Sequence, residues 1–508
     1  MRILPVVLLL ACAGAAAAAT APAVLSGTIT ADAEQFGSSV DVHGSTLVVG
    51  VPNADVGASP YQGRVYVYEL TGGAWILQTE LTAPDGTDYD QFGYDVAVSG
   101  DVIVAGSEEA PVGPHSSRGA AYVFHRNAGG PGVWGMVKKL VAPEAVGNIA
   151  EYGHSVAADG DLIVVGAPKA YSAGRVFVYA RDAGGADNWG ELADMGIDIS
   201  DTNAEVGYAV AVQGDVVVAG ALRRDANPGQ YDNTGAVYVY QRDAGGTDAF
   251  GQVARVQPQD APLYNMLFGS AVSLDAGRLV VGAFGYSAPG SGWGKTYVYD
   301  MGAGPDAWTE VAAFQPADGN DYMYSGHAVA SLAGNVYTGA GGHDGERGKA
   351  YRLQDDAVAL AWGEAEAYTA SDGAPGDFFA HDVAAQGEWI VIGANQADGG
   401  QGAVYVFPAP TVTSAVAAAP AAGVRLLGNH PNPFNPSTEI RFALDRAGPV
   451  RLSVHDLRGR AVEVLVDGEL SAGDHAVTWA PRDLPSGTYA YRVTAGGAAA
   501  MGTLLLAK

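Results

Sequence analysis

Between residues 36 and 407 the chain alternates short segments of small and polar residues with unbroken apolar runs, and the alternation recurs. FGSSVDVHGSTLVVG, FGYDVAVSGDVIVAG, YGHSVAADGDLIVVG, VGYAVAVQGDVVVAG, FGSAVSLDAGRLVVG, SGHAVASLAGNVYTG and FAHDVAAQGEWIVIG are seven versions of one pattern. Their second residues, Gly37, Gly93, Gly153, Gly207, Gly269, Gly326 and Ala380, are spaced by 56, 60, 54, 62, 57 and 54. Each is followed by a relative of GRVYVY: GAAYVF, GRVFVY, GAVYVY, GKTYVY, GKAYRL and GAVYVF. A period of this length is the mark of a repeat architecture.

Each unit predicts four strands. The first, such as SVDV, is short and rich in small residues. A tight turn leads to a second whose continuous apolar run, Leu47-Val48-Val49 in the first unit, suits a strand buried on both faces. The third is VYVY, β-branched and aromatic residues that fill a pleated surface. The fourth begins near Trp75, Trp134, Trp189, Phe250, Trp308 or Trp362. Such units, stacked side by side, are the blades of a β-propeller. The seventh stops at Phe407 without its fourth strand, and Val24–Thr30 precedes the first unit as each fourth strand precedes the next. The expected fold is therefore all-β, a seven-bladed β-propeller over 24–407 closed by the N-terminal strand, which shortens the exposed edges.

Composition agrees: 71 Gly and 48% hydrophobic residues suit many short strands joined by tight turns. Residues 1–19 read as a signal peptide, with Arg2, an apolar Ile3–Leu10 and cleavage near Ala19. The apolar run is too short to span a bilayer, and no later segment approaches the ~20 residues required. An exported chain without a transmembrane segment is expected, either secreted or held at the outer cell surface. The only cysteine, Cys12, lies in this leader; Leu9-Leu10-Ala11-Cys12 is a loose lipobox, a weaker reading because the Cys is so early. From Val424 onward nine Lys and Arg face eight Asp and Glu, and the rest of the chain has 18 against 47. A net charge of −29 in the body repels phosphate backbones, so nucleic acid is not an expected partner.

The recurrence of FG, VxVG and GxVYVY in order resembles the FG-GAP repeats of integrin α-subunit heads and bacterial surface proteins. Calcium-binding members carry D-x-D-x-D-G between first and second strands; here that connection is HGST, SGDV, ADGD or QGDV. One Asp cannot supply the six to eight oxygens calcium takes, so no metal site and no cofactor are expected. The cluster Asp85, Asp88 and Asp90 reads as solvated loop residues.

After Phe407 an Ala/Pro-rich linker (408–423) leads to residues 424–508. Ile440, Phe442 and Leu444, then Val450, Leu452 and Val454, alternate as half-buried strands do, and some seven strands fit a small Ig-like β-sandwich. NHPNPFNPSTEIRFAL, VHDLRGR, AGDHAVTW and SGTYAY closely resemble the C-terminal sorting domain of the type IX secretion system, which overlaps the FlgD-like Ig family. The resemblance implies recognition by type IX machinery and delivery across the outer membrane.

Neither GxSxG, HExxH nor a Cys pair occurs in the chain, so nucleophile-elbow hydrolases and zincins lack their starting residues. No catalytic residue is assigned. His154, His327 and His381 occupy one repeat position and are candidates to line the channel, either as a polar or metal-binding cluster or, the preferred reading, as polar residues facing a wet channel. Connections between second and third strands vary widely while first-to-second turns are nearly constant. Variable loops on a constant scaffold are where binding resides. The expected function is a non-enzymatic binding or adhesion protein with a protein or glycan partner; the alternative is a carbohydrate-active propeller enzyme with its site in or near the channel.

Overall fold

A computed structural model describes residues 23–26, 34–143, 147–197, 203–225, 232–246, 248–260, 263–302, 304–356, 361–410, 424–430, 434–444, 446–455, 461–481, 484, 487–495 and 498–506. The leader with Cys12 and Ala19, residues 27–30 of the closing segment, and most of the linker lie outside the described residues.

The repeats fold as sheets in succession. In the first, Ser39–His43, Thr46–Val51, Arg64–Thr71 and Ala74–Leu81 pair antiparallel in chain order. The second strand is buried along its whole length because it lies between two strands of its own sheet and faces a neighbouring sheet on each side. Val48 belongs to the core shared with the second sheet, and Leu47 and Val49 to the core shared with the last. That is why the run is continuous rather than alternating. Trp75 is buried at the start of the fourth strand, edge-on to Trp389 of the last sheet.

The first strands stand side by side. Ser39–His43 packs beside Val96–Ser99, and Ser155–Asp159, Val206–Gln213, Ala271–Asp275, Val329–Leu332 and Phe379–Gln386 follow in turn. The last returns to Ser39–His43. Its sheet, Phe379–Gln386, Trp389–Ala394 and Ala403–Pro408, takes a fourth strand from the start of the chain: Ala23, Val24 and Leu25 pair antiparallel with Val406, Tyr405 and Val404. One sheet departs from the expected four strands. The second gains Ile149–Tyr152, parallel to Ser117–His125.

That extra strand extends a joint found around the whole array. A parallel bridge links Gly63 to Phe92, and equivalent bridges link Gly235 to Phe268 and Gly402 to Phe36. The glycine that opens GRVYVY thus touches the aromatic that opens the next FG. Gly63 has φ +89°, and a Cβ there would overlap the carbonyl oxygen and the amide nitrogen of Phe92. Only glycine lets the two backbones approach so closely.

The tail is a separate pair of antiparallel sheets. Val424–His430, Thr438–Leu444 and Gly473–Trp479 form one; Ala461–Leu470, Gly448–His455, Gly487–Ala495 and Ala498–Leu506 form the other. Ile440, Phe442, Leu452, Val454, Trp479, Tyr491 and Leu504 share one core, and the Trp479 indole donates to Glu463 at 2.8 Å.

Candidate functional site

The first strands surround a cavity of about 590 Å3 that every one of the seven repeat sheets lines. Its rim is set by a turn in which the residue before each FG-type pair takes a left-handed conformation without being glycine. Gln35, Gln91, Glu151, Glu205, Leu267, Tyr324 and Phe378 have φ between 50° and 62°. The carbonyl of each accepts the N–H of the residue three further on, so Ser38, Tyr94, His154, Tyr208, Ser270, His327 and His381 are fixed facing the cavity. Such conformations are costly for side-chain-bearing residues and persist where surrounding bonds enforce them.

The rim is not uniform. His154, expected in the channel, sits between Tyr94 and Tyr208, with ring centroids 5.1 and 4.6 Å away. Its Nδ1 lies 2.6 Å from Glu108 Oε2. Burial raises the Glu108 carboxyl, with the imidazole opposing the shift. Glu151 holds Lys169 at 3.2 Å, and Glu205 holds Arg223 at 3.3 Å. Burial and then the Glu108 charge push the Tyr94 phenol up. Across the cavity the character changes. His327 and His381 lie together, rings 5.1 Å apart, and His327 Nδ1 donates to the His381 carbonyl at 3.1 Å. Phe284 packs 5.5 Å from His327. Burial lowers both imidazoles, and the neighbouring His327 contributes to holding His381 at about 3, so this side is neutral. The three candidate histidines are thus one pair and one outlier, placed as the order of the sheets dictates.

Sequence reasoning missed a second layer below the rim. Asp41, Asp95 and Asp382 line the cavity and join neighbouring sheets. The Val40 N–H donates to Asp382, that of Val98 to Asp41, and that of Val156 to Asp95, each at 2.7 Å. The second oxygen of each carboxylate accepts the N–H of the following residue. Burial raises these groups to about 7, 8 and 6 for Asp41, Asp95 and Asp382, against the amide bonds. The available signal was a lone Asp inside a strand of small residues. Of the three Asp residues read as solvated, Asp85 is exposed and Asp90 is not. Asp90 is buried and accepts from the Thr87 N–H and hydroxyl, and Asp85 accepts from the Tyr122 hydroxyl and Lys139.

The loops on the rim side are tied to the turns. In the second repeat Tyr89, Gln91 and Phe92 donate their N–H groups to the carbonyls of Pro60, Tyr61 and Gln62. In the sixth, Tyr322 and Tyr324 donate to Ser291 and Gly292. This stitching displays large side chains to solvent: Tyr61 and Tyr89 stack at 5.4 Å, and Tyr89, Tyr264 and Tyr322 are 60%, 71% and 59% exposed.

The family model for the FG-GAP repeat matches residues 29–68, 75–124, 134–179 and 362–407, where the glycine–aromatic joints and buried second strands have just been described. Those four segments carry the FG-GAP repeat. The sheets between residues 206 and 356 lie outside those FG-GAP matches. No curated protein matches the chain. Among solved structures, it is similar to the periplasmic gluconolactonase PpgL of Pseudomonas aeruginosa, with 12% identity over 86% of this chain and 100% of that one, TM-score 0.46. It is also similar to PorZ, described as an essential surface component of the type-IX secretion system of Porphyromonas gingivalis, with 14% identity and TM-score 0.38; the match covers 92% of this chain and 65% of PorZ. A third is the β-propeller domain of the Trilobed protease of Pyrococcus furiosus, with 11% identity over 74% of this chain and 90% of that one, TM-score 0.40. Among the described residues, no helix is long and apolar enough to cross a membrane.

Proposed function

We propose that this FG-GAP protein is an exported binding or adhesion module. Residues 24–407 are a seven-bladed β-propeller, and 424–508 an Ig-like domain that directs type IX secretion. The rim-side face meets a protein or glycan partner. The observation that carries the reading is the set of exposed tyrosines on that face, held on backbone stitched to the propeller turns. Tyrosine offers a large, rigid, amphipathic contact at low entropic cost, and preorganised loops lose little freedom on binding. The leader pattern at 1–19 supports export.

The test is a glycan and protein array screen with the mature chain, followed by Tyr61→Ala/Tyr89→Ala and Tyr322→Ala variants. Binding lost in these variants and kept when the channel-lining His154, His327 and His381 are replaced supports the loop face. The reverse pattern favours the second reading, a carbohydrate-active enzyme acting from the channel, for which the His154–Glu108 contact at 2.6 Å supplies a general acid–base pair.

A further inference from the structure

We propose that Glu108, Glu151 and His154 form a site for one first-row divalent metal ion at the rim of the cavity. One ligand atom from each lies within 4.8 Å of the other two. They come from two adjacent sheets. Glu108 follows the second strand of the second sheet; Glu151 lies in Ile149–Tyr152, the strand that sheet gains, and His154 follows at the FG-type turn leading into the third. The site stands independently of the binding reading above.

Each position is fixed before any ion arrives. Glu151 is held at φ 50° by the turn in which its carbonyl accepts the His154 N–H. The imidazole is clamped by Tyr94 and Tyr208. Glu108 is 9% exposed, so its carboxylate has little water to stabilise it. An ordinary ion pair would need only Glu108 and a protonated His154. The third donor, Glu151, lies close to both and carries the part-exposed Lys169 ammonium at 3.2 Å, with which an ion must compete. A divalent ion takes the place of the Lys169 ammonium on Glu151 and draws on the Glu108 and His154 donors already 2.6 Å apart.

The donor set selects the ion. Zinc binds imidazole nitrogen and carboxylate oxygen at about 2.0–2.2 Å, which requires the three donors to draw in by rotation of the part-exposed Glu151 side chain. One imidazole with two carboxylates suits zinc or manganese, with zinc the tighter by the general order of divalent affinities. Calcium, which takes about six to eight oxygens, has too few partners here. Of the three, His154 lines the cavity.

The experiment uses the mature chain, stripped with EDTA and titrated with ZnCl2, MnCl2 and CaCl2 by isothermal calorimetry. One zinc per chain, weaker manganese and no calcium are expected. Glu151→Ala and His154→Asn each weaken zinc by about tenfold or more, and Lys169→Met strengthens it. Absence of zinc binding at millimolar concentration overturns the site. So does zinc binding unchanged in both Glu151→Ala and His154→Asn. If His154→Asn does not fold, Glu151→Ala and Lys169→Met decide, with the visible spectrum of bound Co2+ reporting a nitrogen–oxygen set or its absence.

Discussion

The Asp95 carboxylate, just before the inner strand of the second sheet, accepts the backbone N–H of Val156 in the third at 2.7 Å. A side chain thus does for neighbouring sheets what main-chain carbonyls do within a sheet. Asp95→Asn keeps the shape but turns an NH2 group toward one of the two N–H donors. The loss of that buried bond costs about 1–3 kcal/mol. Urea denaturation read by tryptophan fluorescence measures it; a midpoint equal to the parent's would show that the bridge is inert.

Asp41, Asp95 and Asp382 also give the propeller a pH signature. Their folded values, raised by burial to about 7, 8 and 6, exceed the ~3.9 of an unfolded Asp. Between these values the folded chain binds more protons than the unfolded one, so stability from this source rises as pH falls from about 8 toward 4. His327 and His381, lowered by burial, act in the opposite sense below about pH 6.5. The difference in melting temperature between parent and an Asp41→Asn/Asp95→Asn/Asp382→Asn variant isolates the carboxylates. It should shift in the parent's favour as pH falls from 8 to 5. A constant difference would remove the carboxylates from the pH response.

Gly63→Ala tests the joint between successive repeats. A methyl group there overlaps the Phe92 main chain at a left-handed φ, so relief requires the joint to open. The cost should exceed the ~1 kcal/mol typical of a point mutation, whereas Gly44→Ala, in an open turn with nothing near its Cβ, should pay only the φ penalty. Equal midpoints for the two variants would contradict the packing argument.

Calcium should leave the melting temperature of the mature chain unchanged, because the turns between first and second strands lack the alternating carboxylates of a calcium loop. A rise of several degrees at millimolar calcium would reveal a site, since a ligand of the native state must stabilise it.

The tail should be separable. Its two sheets have their own core, and among the described residues no repeat strand lies beyond Pro408. A chain ending at residue 410 should keep the parent propeller's melting transition. In a host with a type IX system it should stay in the periplasm while the full chain reaches the surface. Equal delivery of both forms, by fractionation, would make the tail an ordinary Ig-like module.

The strands were legible because their signals are periodic and apolar. Leu47-Val48-Val49, Val65–Tyr68 and Trp75 each mark a strand by composition alone. The rim was not, because its chemistry arises between sheets. Glu108 and His154 are 46 positions apart, and nothing in SEEAP or EYGHS predicts that they touch. His327 and His381 were legible as a pair because equal repeat positions on consecutive sheets must be neighbours. The stapling aspartates escaped because a polar residue in a short strand reads as solvent-facing, whereas here it faces backbone amides across a sheet boundary.

Leu25 pairs with Val404 and Ala23 with Val406, so the two strands that close the last sheet are made some 380 positions apart. At ~5–20 residues per second of synthesis, the first strand waits roughly 20–80 s for its partner. During that interval the nascent chain carries a sticky edge at each end, and any copy cut short before residue 404 never loses it. Closure thus checks the length of the chain: one cut short before the last repeat cannot pair Ala23–Leu25 and leaves that edge open.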